Sequence, residues 1–418
     1  METFDEERFP ECHQPFDGKG LFELIRINKA PGPFIWDIEE LISEVEKYHG
    51  GPVIDIPIVK YGASNFGIYM QLTDSAREVV ARLSRSDAEY SLQQQVSDIH
   101  FEAAVNGLLL GSQVPVSKIL YSRLPQPRAR NSVLGRGLIV FEKNDGDNDT
   151  VWGRFDTKQL LNCVAEVRAN LFKIKLSEQF LASCLTKRLH EIHGVDLTDT
   201  PDTLPRQFCM NLFTEKVKAV VKLAPIDSHQ KRTIMLILLS AIPHILPPDT
   251  DGHLYRLVLE HRDFKMDNLL ITRCPEYGEP EVTALFDWEQ GCVLPAILSD
   301  PSFITPNLSE KGGSPARLGS WDDLDLLFTG VSSDNTVFTR LYGETGDAKR
   351  LRLGKYYLDA LFRYSPEYAD VMATGEDARH FWSELEECLN EDNDGINVGD
   401  ILEGLAVWAR DRAEYLGD

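Results

Sequence analysis

The chain has 418 residues, of which 43% are hydrophobic and 26% are charged. This composition is typical of a globular protein and excludes disordered and collagen-like classes, and the length favours two domains over a single small core. The formal net charge of −23 disfavours nucleic acid and anionic membranes as partners, because such a surface repels phosphate groups.

The cysteines and the apolar segments favour a cytoplasmic protein. The seven cysteines form no CxxC motif and are odd in number, as expected in a reducing compartment. The acidic start "METFDEERFPE" lacks the features of a signal or transit peptide. The most apolar run, "TIMLILLSAIPHIL", is shorter than a membrane span, so it predicts a buried helix.

The first third of the chain reads mainly as strands. A helix in "FIWDIEELISEVEKYHG" ends at Gly50-Gly51. The alternation in "FGIYMQL" and the β-branched run "EVVARL" predict strands, with a turn at "TDSARE" between them. A helix follows in "VSDIHFEAAVNGLLLGSQ", with Asp98 as its expected N-terminal cap.

The next segments suggest where the first domain ends. "VPVSKILYS" and "GRGLIVFEK" are apolar enough to belong to the same sheet. The polar stretch "KNDGDNDT" follows and is the best linker candidate. We therefore predict an α+β protein with a small antiparallel-sheet lobe at 1–143, a linker at 144–150 and a larger, mainly helical lobe at 151–418.

Two features stand out in the second part. Around residues 254–288, "LYRLVLEH", "NLLITR" and "EVTALFDW" predict three short strands within an otherwise helical pattern. Residues 301–418 contain 11 basic and 23 acidic residues, a net charge of −12, and are expected to form solvated helices. "DNDGINVG" fails the calcium-loop pattern, because Ile401 falls where the bidentate Glu is required, and predicts an acidic turn.

A constellation of oxygen-bearing side chains accompanies these three strands. Asp263 and Asn268 follow the first strand in the pattern H-x-D-x-x-x-x-N, and Asp287 and Glu289 leave the third. If the second and third strands pair, Asp287 lies beside the loop. Phosphoryl transfer needs a carboxylate for the attacking hydroxyl and hard oxygen ligands for magnesium. Asp263 is the candidate base, and Asn268 and Asp287 are the candidate metal ligands.

Upstream residues fit the same chemistry. The turn in "KYGASNFGIY" has small residues that permit close approach to phosphates, and its candidate nucleotide contacts are Gly62, Ser64 and Asn65. Arg82 follows a strand-like run, and Glu102 lies on the predicted helix, so the two could form the strand–helix ion pair that orders nucleotide sites. Taken singly, the turn is also typical of an ordinary hairpin, and Arg82 and Glu102 are each typical of a surface charge.

These motifs together resemble the aminoglycoside phosphotransferase family of small-molecule kinases, in the divergent form abundant in fungi. The resemblance covers about residues 55–305 and is carried by "YGASNFGIY", "EVVARLSR", "LIVFEK", "HRDFKMDNLLI" and "LFDWEQG". It implies a bilobal, protein-kinase-like fold that uses ATP and Mg²⁺. The chain departs from the family pattern at Arg82, where a Lys is expected, and at Arg262, where a Gly is usual.

The resemblance also implies roles for single residues. Asp263 would be the catalytic base, with Asn268 and Asp287 as metal ligands. Glu142 would lie in the hinge that meets adenine through its backbone, and His261 would support the catalytic loop. Lys265, two residues after the base, could reach the transferring phosphate.

The sequence thus favours a kinase for a hydroxyl of a small molecule, and the acidity of residues 301–418 suggests an acceptor that bears an amine. Two other classes stay open. One is a non-catalytic binding or scaffold protein on a kinase-like fold, which Arg82 and the glycine-poor turn would suit. The other is a different transfer chemistry on the same fold, such as nucleotidyl transfer.

Overall fold

A computed structural model of the chain divides into two compact units. The first comprises Met1–Asp149 and Asp267–Glu289, and the second comprises Thr150–Met266 and Gln290–Asp418. The residues described are 38–49, 51–62, 64–73, 78–85, 91–126, 132–148, 151–197, 205–248, 252–305, 315–320, 323–324, 346–389 and 398–417. The turns predicted at "TDSARE" and "DNDGINVG" fall largely outside these ranges.

An antiparallel sheet of five strands forms the body of the first unit. Its strand order is β1-β2-β3-β5-β4. In β2 and β3, buried side chains alternate with partly exposed ones, the two-residue period of a sheet with one face on a core. The strands are β1 Val53–Tyr61, β2 Asn65–Leu72, β3 Glu78–Ser84, β4 Ile119–Arg123 and β5 Leu138–Glu142. The strands predicted in this part of the chain are confirmed.

Two helices complete this unit. Helix α1, Ile38–His49, buries Leu41 and Val45 in the same apolar cluster as the sheet. Helix α2, Leu92–Leu109, begins at Ser91, whose side chain accepts the Gln94 backbone N–H at 3.1 Å. The prediction of Asp98 as the cap is wrong. Asp98 is buried within the helix and accepts from the Gln94 side chain.

A hairpin from late in the sequence belongs to the first unit. It consists of β7, Leu269–Arg273, and β8, Pro280–Leu285, which pair as predicted. Asp147 and Ile271 exchange two backbone hydrogen bonds of 3.1 and 3.0 Å, and Leu285 N–H donates to the Pro115 carbonyl at 2.8 Å. Sequence order had placed the hairpin with the helical lobe. These bonds place it with the sheet instead and anchor part of the 144–150 stretch.

The second unit is mainly helical, so the predicted α+β class is confirmed. Short antiparallel strands accompany the helices: β6 pairs with β9, and β10 pairs with β11. The helices are α3 Thr157–Phe172, α4 Glu178–His193, α5 Pro205–Leu223, α6 Ser228–Ile245, α7 Gly346–Tyr364, α8 Pro366–Thr374, α9 Glu376–Glu387 and α10 Val398–Gly417, and the strands are β6 Leu257–Glu260, β9 Cys292–Pro295, β10 Phe303–Thr305 and β11 Ala316–Leu318.

The apolar run predicted as a buried helix forms α6. It buries one face, which includes Ile234 and Leu238, while Leu236 remains 62% exposed. Among the residues described, no helix is long and apolar enough to cross a membrane.

Arg168 of α3 holds the centre of the second unit together. Its side chain is 1% exposed, and Nη2 donates to Glu260 Oε2 at 2.7 Å, to the Asp300 carbonyl at 2.6 Å and to the Tyr368 hydroxyl at 2.9 Å. Burial raises the pKa of Glu260, and Arg168 opposes that shift. The pair therefore fixes β6, and the loop that follows it, to helices α3 and α8.

Replacing Arg168 with Met should lower the free energy of unfolding by about 3–5 kcal/mol, because Glu260 keeps a buried charge without its partner. The double variant Arg168→Met/Glu260→Gln should recover part of this loss, since the stranded charge is gone. Urea unfolding measures both. The exposed Arg352→Met variant is the control, and a loss as large in that variant would contradict the assignment.

Candidate active site

The turn between β1 and β2 is closed by its own backbone and tied to a distant carboxylate. Gly62 N–H donates to the Asn65 carbonyl at 2.8 Å, and a Cβ at Gly62 would lie 3.1 Å from that oxygen. The Asn65 side chain donates to Glu289 Oε2 at 2.8 Å, and the Ser64 hydroxyl also bonds to Glu289. A side chain at Gly62 would thus require a small shift of the turn, which is held close to the exit of β8 by Glu289.

Arg82 forms the ion pair that the sequence predicts. From β3 its guanidinium pairs through Nη2 with Glu102 of α2, a residue only 1% exposed. Nη1 lies 3.3 Å from Asp287 Oδ1. One guanidinium therefore contacts two carboxylates, an arrangement that its planar fork permits. The geometric prediction is confirmed, and the role of Arg82 and Glu102 in nucleotide binding stays a prediction.

Asn268 and Asp287 lie at the same end of the β7–β8 hairpin. Leu269 pairs with Leu285, and Phe286 N–H donates to the Asn268 carbonyl at 3.1 Å. Asp287 has a φ of 68°, a left-handed conformation that Asp adopts more readily than most residues. The hairpin register thus places Asn268 and Asp287 at the same end of the hairpin, and their role as metal ligands stays a prediction.

Glu289 is a site residue whose partners the sequence did not reveal. Burial raises its pKa, and the neighbouring Asp287 raises it further, while Arg82 and Ser64 oppose the shift. Asn65 lies 224 positions away in sequence, and only the fold brings the two together. The D-x-E spacing was the one available signal.

The loop after β6 carries the two candidate catalytic residues, in the second unit. Lys265 Nζ lies 2.6 Å from Asp263 Oδ2, and both side chains are about one-third exposed or less. His261 is fully buried and packs edge-on against Phe264, with 6.3 Å between ring centroids. Packing of His261 beneath this loop agrees with the supporting role expected for it.

Arg262 anchors the same loop to helix α9. Its φ is 61°, which is strained for Arg. Its two Nη atoms donate to the two oxygens of Glu386 at 2.9 and 3.3 Å. Burial alone raises the pKa of Glu386, but bonds from His193 and Arg262 outweigh it and hold that pKa well below its usual range. A bidentate ion pair thus stabilises the strained residue beside Asp263.

Comparison with known families assigns the chain. A family model described as the phosphotransferase enzyme family matches residues 59–298, more than half of the sequence. The chain belongs to this family. The match begins in β1 and extends past Glu289, so it contains every candidate site residue named from the sequence.

Solved structures similar to this phosphotransferase-family protein include small-molecule kinases. A putative aminoglycoside phosphotransferase from Ralstonia eutropha is 15% identical, with 91% of this chain and 98% of that chain covered and a TM-score of 0.41. A choline kinase from Cryptosporidium parvum is 14% identical, with 91% of this chain and 97% of that chain covered and a TM-score of 0.38. An ethanolamine kinase from Plasmodium vivax is 13% identical, with 85% of this chain and 83% of that chain covered and a TM-score of 0.37. A search of curated proteins found no match.

The structure of this family member separates the candidate residues into two sets. The first unit collects the β1–β2 turn, the Arg82–Glu102 pair, and Asn268 with Asp287. The second unit holds Asp263 and Lys265. Glu142 ends β5, its side chain is exposed, and its backbone N–H donates to the Lys118 carbonyl at 2.9 Å. Its contact with adenine stays a prediction.

The Glu386 anchor gives a pH dependence. Burial lowers the pKa of His193 from 6.5 to about 4, and His193 Nδ1 lies 2.7 Å from Glu386 Oε1. The unfolded chain therefore binds more protons at this residue than the folded chain within that interval. The contribution of His193 to stability is fully present above pH 6.5 and is lost as the pH drops towards 4, by roughly 3 kcal/mol for a shift of this size.

The His193→Asn variant should show a flatter dependence, because Asn can donate to Glu386 but does not titrate. The free energy of unfolding is measured for both proteins between pH 4.5 and 6.5. This pH range lies above the usual pKa of Glu386, so the Glu386 carboxyl does not contribute to the difference. Parallel curves for the two proteins would show that His193 is not the titrating group.

Proposed function

We propose that this protein is an ATP- and Mg²⁺-dependent phosphotransferase that acts on a hydroxyl of a small molecule. The observation that carries the proposal lies within the family match: Arg82 lies 3.3 Å from Asp287, and the register of β7 and β8 puts Asn268 at the same end of the hairpin. Arg82 supplies the cation, and Asn268 and Asp287 supply the oxygens. Phosphoryl transfer depends on positioning and charge neutralisation, which is the chemistry that these groups offer.

The donor set fits a magnesium ion shared with phosphates. Among the residues described, no group of three His, Cys, Asp or Glu side chains forms a metal site by itself. Asn268 and Asp287 would hold the ion, and phosphate oxygens and water would complete its coordination, as is usual for magnesium on nucleotides. When bound, the ion neutralises charge that develops on the transferring phosphoryl group.

Arg82 orients the phosphate side of this site. Glu102 is nearly inaccessible to water, so its ionised carboxylate depends on the guanidinium and fixes the direction of the side chain. The second Nη already points at Asp287, where magnesium would be held. An Arg here can donate to two phosphate oxygens at once, whereas a Lys would place a single point charge.

Asp263 would receive the proton of the acceptor hydroxyl. As that oxygen attacks the γ-phosphorus of ATP, its proton passes to the Asp263 carboxylate. The new O–P bond forms while the bond between the γ-phosphorus and the leaving ADP breaks. Lys265, 2.6 Å from Asp263 Oδ2, balances the charge of the carboxylate. The Arg262–Glu386 pair keeps the loop backbone fixed through this step.

The Asp263→Asn variant should lose at least about 100-fold in turnover, the usual contribution of a general base, while nucleotide binding is retained. ADP formation with an acceptor library measures this, and AMP or pyrophosphate as the product would indicate nucleotidyl transfer instead. The control is Asp267→Asn, an exposed residue of the same loop. Turnover of Asp263→Asn near that of the wild type would exclude Asp263 as the base.

Nucleotide should raise the melting temperature of the protein, and magnesium should raise it further, because a ligand stabilises the state that it binds. The Asp287→Asn variant should lose the magnesium-dependent part. Glu281→Gln, an exposed position near the other end of the same hairpin, should keep it. No shift with any nucleotide in the wild type would favour a non-catalytic scaffold.

A further inference from the structure

The second unit contains a cavity whose lining has no assigned role in the reaction. Its volume is about 570 Å³, within the range of small-molecule sites. One end is lined by Lys216 of α5, by Arg262, which precedes Asp263, and by Trp382 and Glu386 of α9. Ser383 and Glu387 on its wall are exposed, so the cavity reaches solvent.

The buried carboxylates of this cavity already have cationic partners. Glu386 is bound by Arg262, and Glu260 by Arg168. Asp300, which is less buried, lies 3.0 Å from an Arg317 nitrogen. The acidity of residues 301–418, which suggested an acceptor with an amine, is therefore not a property of the described lining.

Lys216 is a cation of this lining that none of these ion pairs includes. Its side chain is 1% exposed, and its ammonium donates to the His193 carbonyl at 2.8 Å and lies 5.2 Å from the centroid of the Trp382 ring. Among the residues described, no carboxylate lies within 4.0 Å of it. Burial lowers the pKa of Lys216 to about 8, so it remains mainly charged at neutral pH.

The charged side chains of the cavity sum to one positive charge when the partner of Glu260 is included. The lining has four cations and four anions, and Arg168, which pairs with Glu260, adds one more cation; the lining cations are Lys216, Arg262, Arg317 and Arg379, and the anions are Glu260, Asp300, Glu386 and Glu387. Burial keeps His193 neutral at pH 7. Trp382 adds a second donor: its Nε1 is buried and has no hydrogen-bond partner among the described residues. Buried donors are rarely left without an acceptor, which a bound molecule could supply.

Lys216 also has a structural duty. The His193 carbonyl is at the C-terminal end of α4, where a cation interacts favourably with the helix dipole. That contact uses one of three ammonium donors. It accounts for neither the cavity beside Lys216 nor the unsatisfied Trp382 nitrogen.

We propose that this cavity recognises the acceptor by a carboxylate group, which pairs with Lys216. A single negative charge matches the single excess positive charge, whereas a phosphate group would bring nearly two. The identification of the bound molecule as the acceptor rests on the proposed phosphotransfer. The binding of a carboxylate in this cavity is independent of that proposal.

The test is calorimetric titration of the full chain without nucleotide. The ligands are sets of three polyols of equal length that differ only in one end group, and the sets increase in length. The largest set is gluconate, glucamine and sorbitol, which carry a carboxylate, an amine and a hydroxyl. Carboxylates should bind most tightly. The Lys216→Met variant should weaken them by at least about tenfold, the worth of one hydrogen bond to a charged group.

The matched control is Lys218→Met, two residues along α5, which removes an exposed lysine and should leave carboxylate binding unchanged. Melting temperatures establish that both variants are folded. Preference for the amines, no binding of any carboxylate, or undiminished binding in Lys216→Met would overturn the proposal. Because nucleotide is absent, any of these results would leave the proposed phosphotransfer standing, and failure of phosphotransfer would leave carboxylate binding standing.

Discussion

Arg82 is the side chain on which the first unit depends. It lies in the central strand of the sheet, pairs with the buried Glu102 of α2, and extends to Asp287 on the hairpin. A buried carboxylate without a cation would be costly, so the sheet, the helix and the hairpin are positioned by one charge requirement. The same requirement places a cation beside Asp287, the proposed magnesium ligand.

The second unit uses the same device twice. Arg168 pairs with Glu260 at the end of β6. Arg262, two residues after Glu260, pairs with Glu386. Each pair joins the chain around Asp263 to a helix far away in sequence. A bidentate or multiply bonded Arg fixes direction as well as distance. The loop that holds the candidate base is therefore fixed by two ion pairs, one at the last residue of β6 and one within the loop.

Sequence reasoning succeeded where the signal is local. The two-residue period of β2 follows from "FGIYMQL", and the hairpin follows from two apolar runs and a turn of suitable length. The Arg82–Glu102 pair could be predicted because the two residues are only 20 positions apart in the sequence. Asp98 was wrongly predicted as a cap because three Gln residues follow Leu92 in the first turn of α2, so the apolar spacing that marks the helix becomes visible only later.

The parts that could not be predicted depend on partners distant in the chain. Glu386 follows Arg262 by 124 positions, and 66 acidic residues compete for such an assignment. The strands β10 and β11 have three residues each, too short for a period to be visible. The cavity beside Lys216 depends on α5 and α9 together, and no sequence spacing relates those two helices.

The two non-glycine residues with positive φ among those described are Arg262 and Asp287. Each costs of order 1–3 kcal/mol and persists only where the surroundings impose it. The surroundings are in both cases an Arg–carboxylate pair: Arg262 with Glu386, and Asp287 with Arg82. Strain here coincides with the candidate base on one loop and the candidate metal ligand on the hairpin. In both places the ion pair that satisfies a charge also holds the backbone away from its preferred conformation, at or next to a residue for which a role in the reaction is proposed.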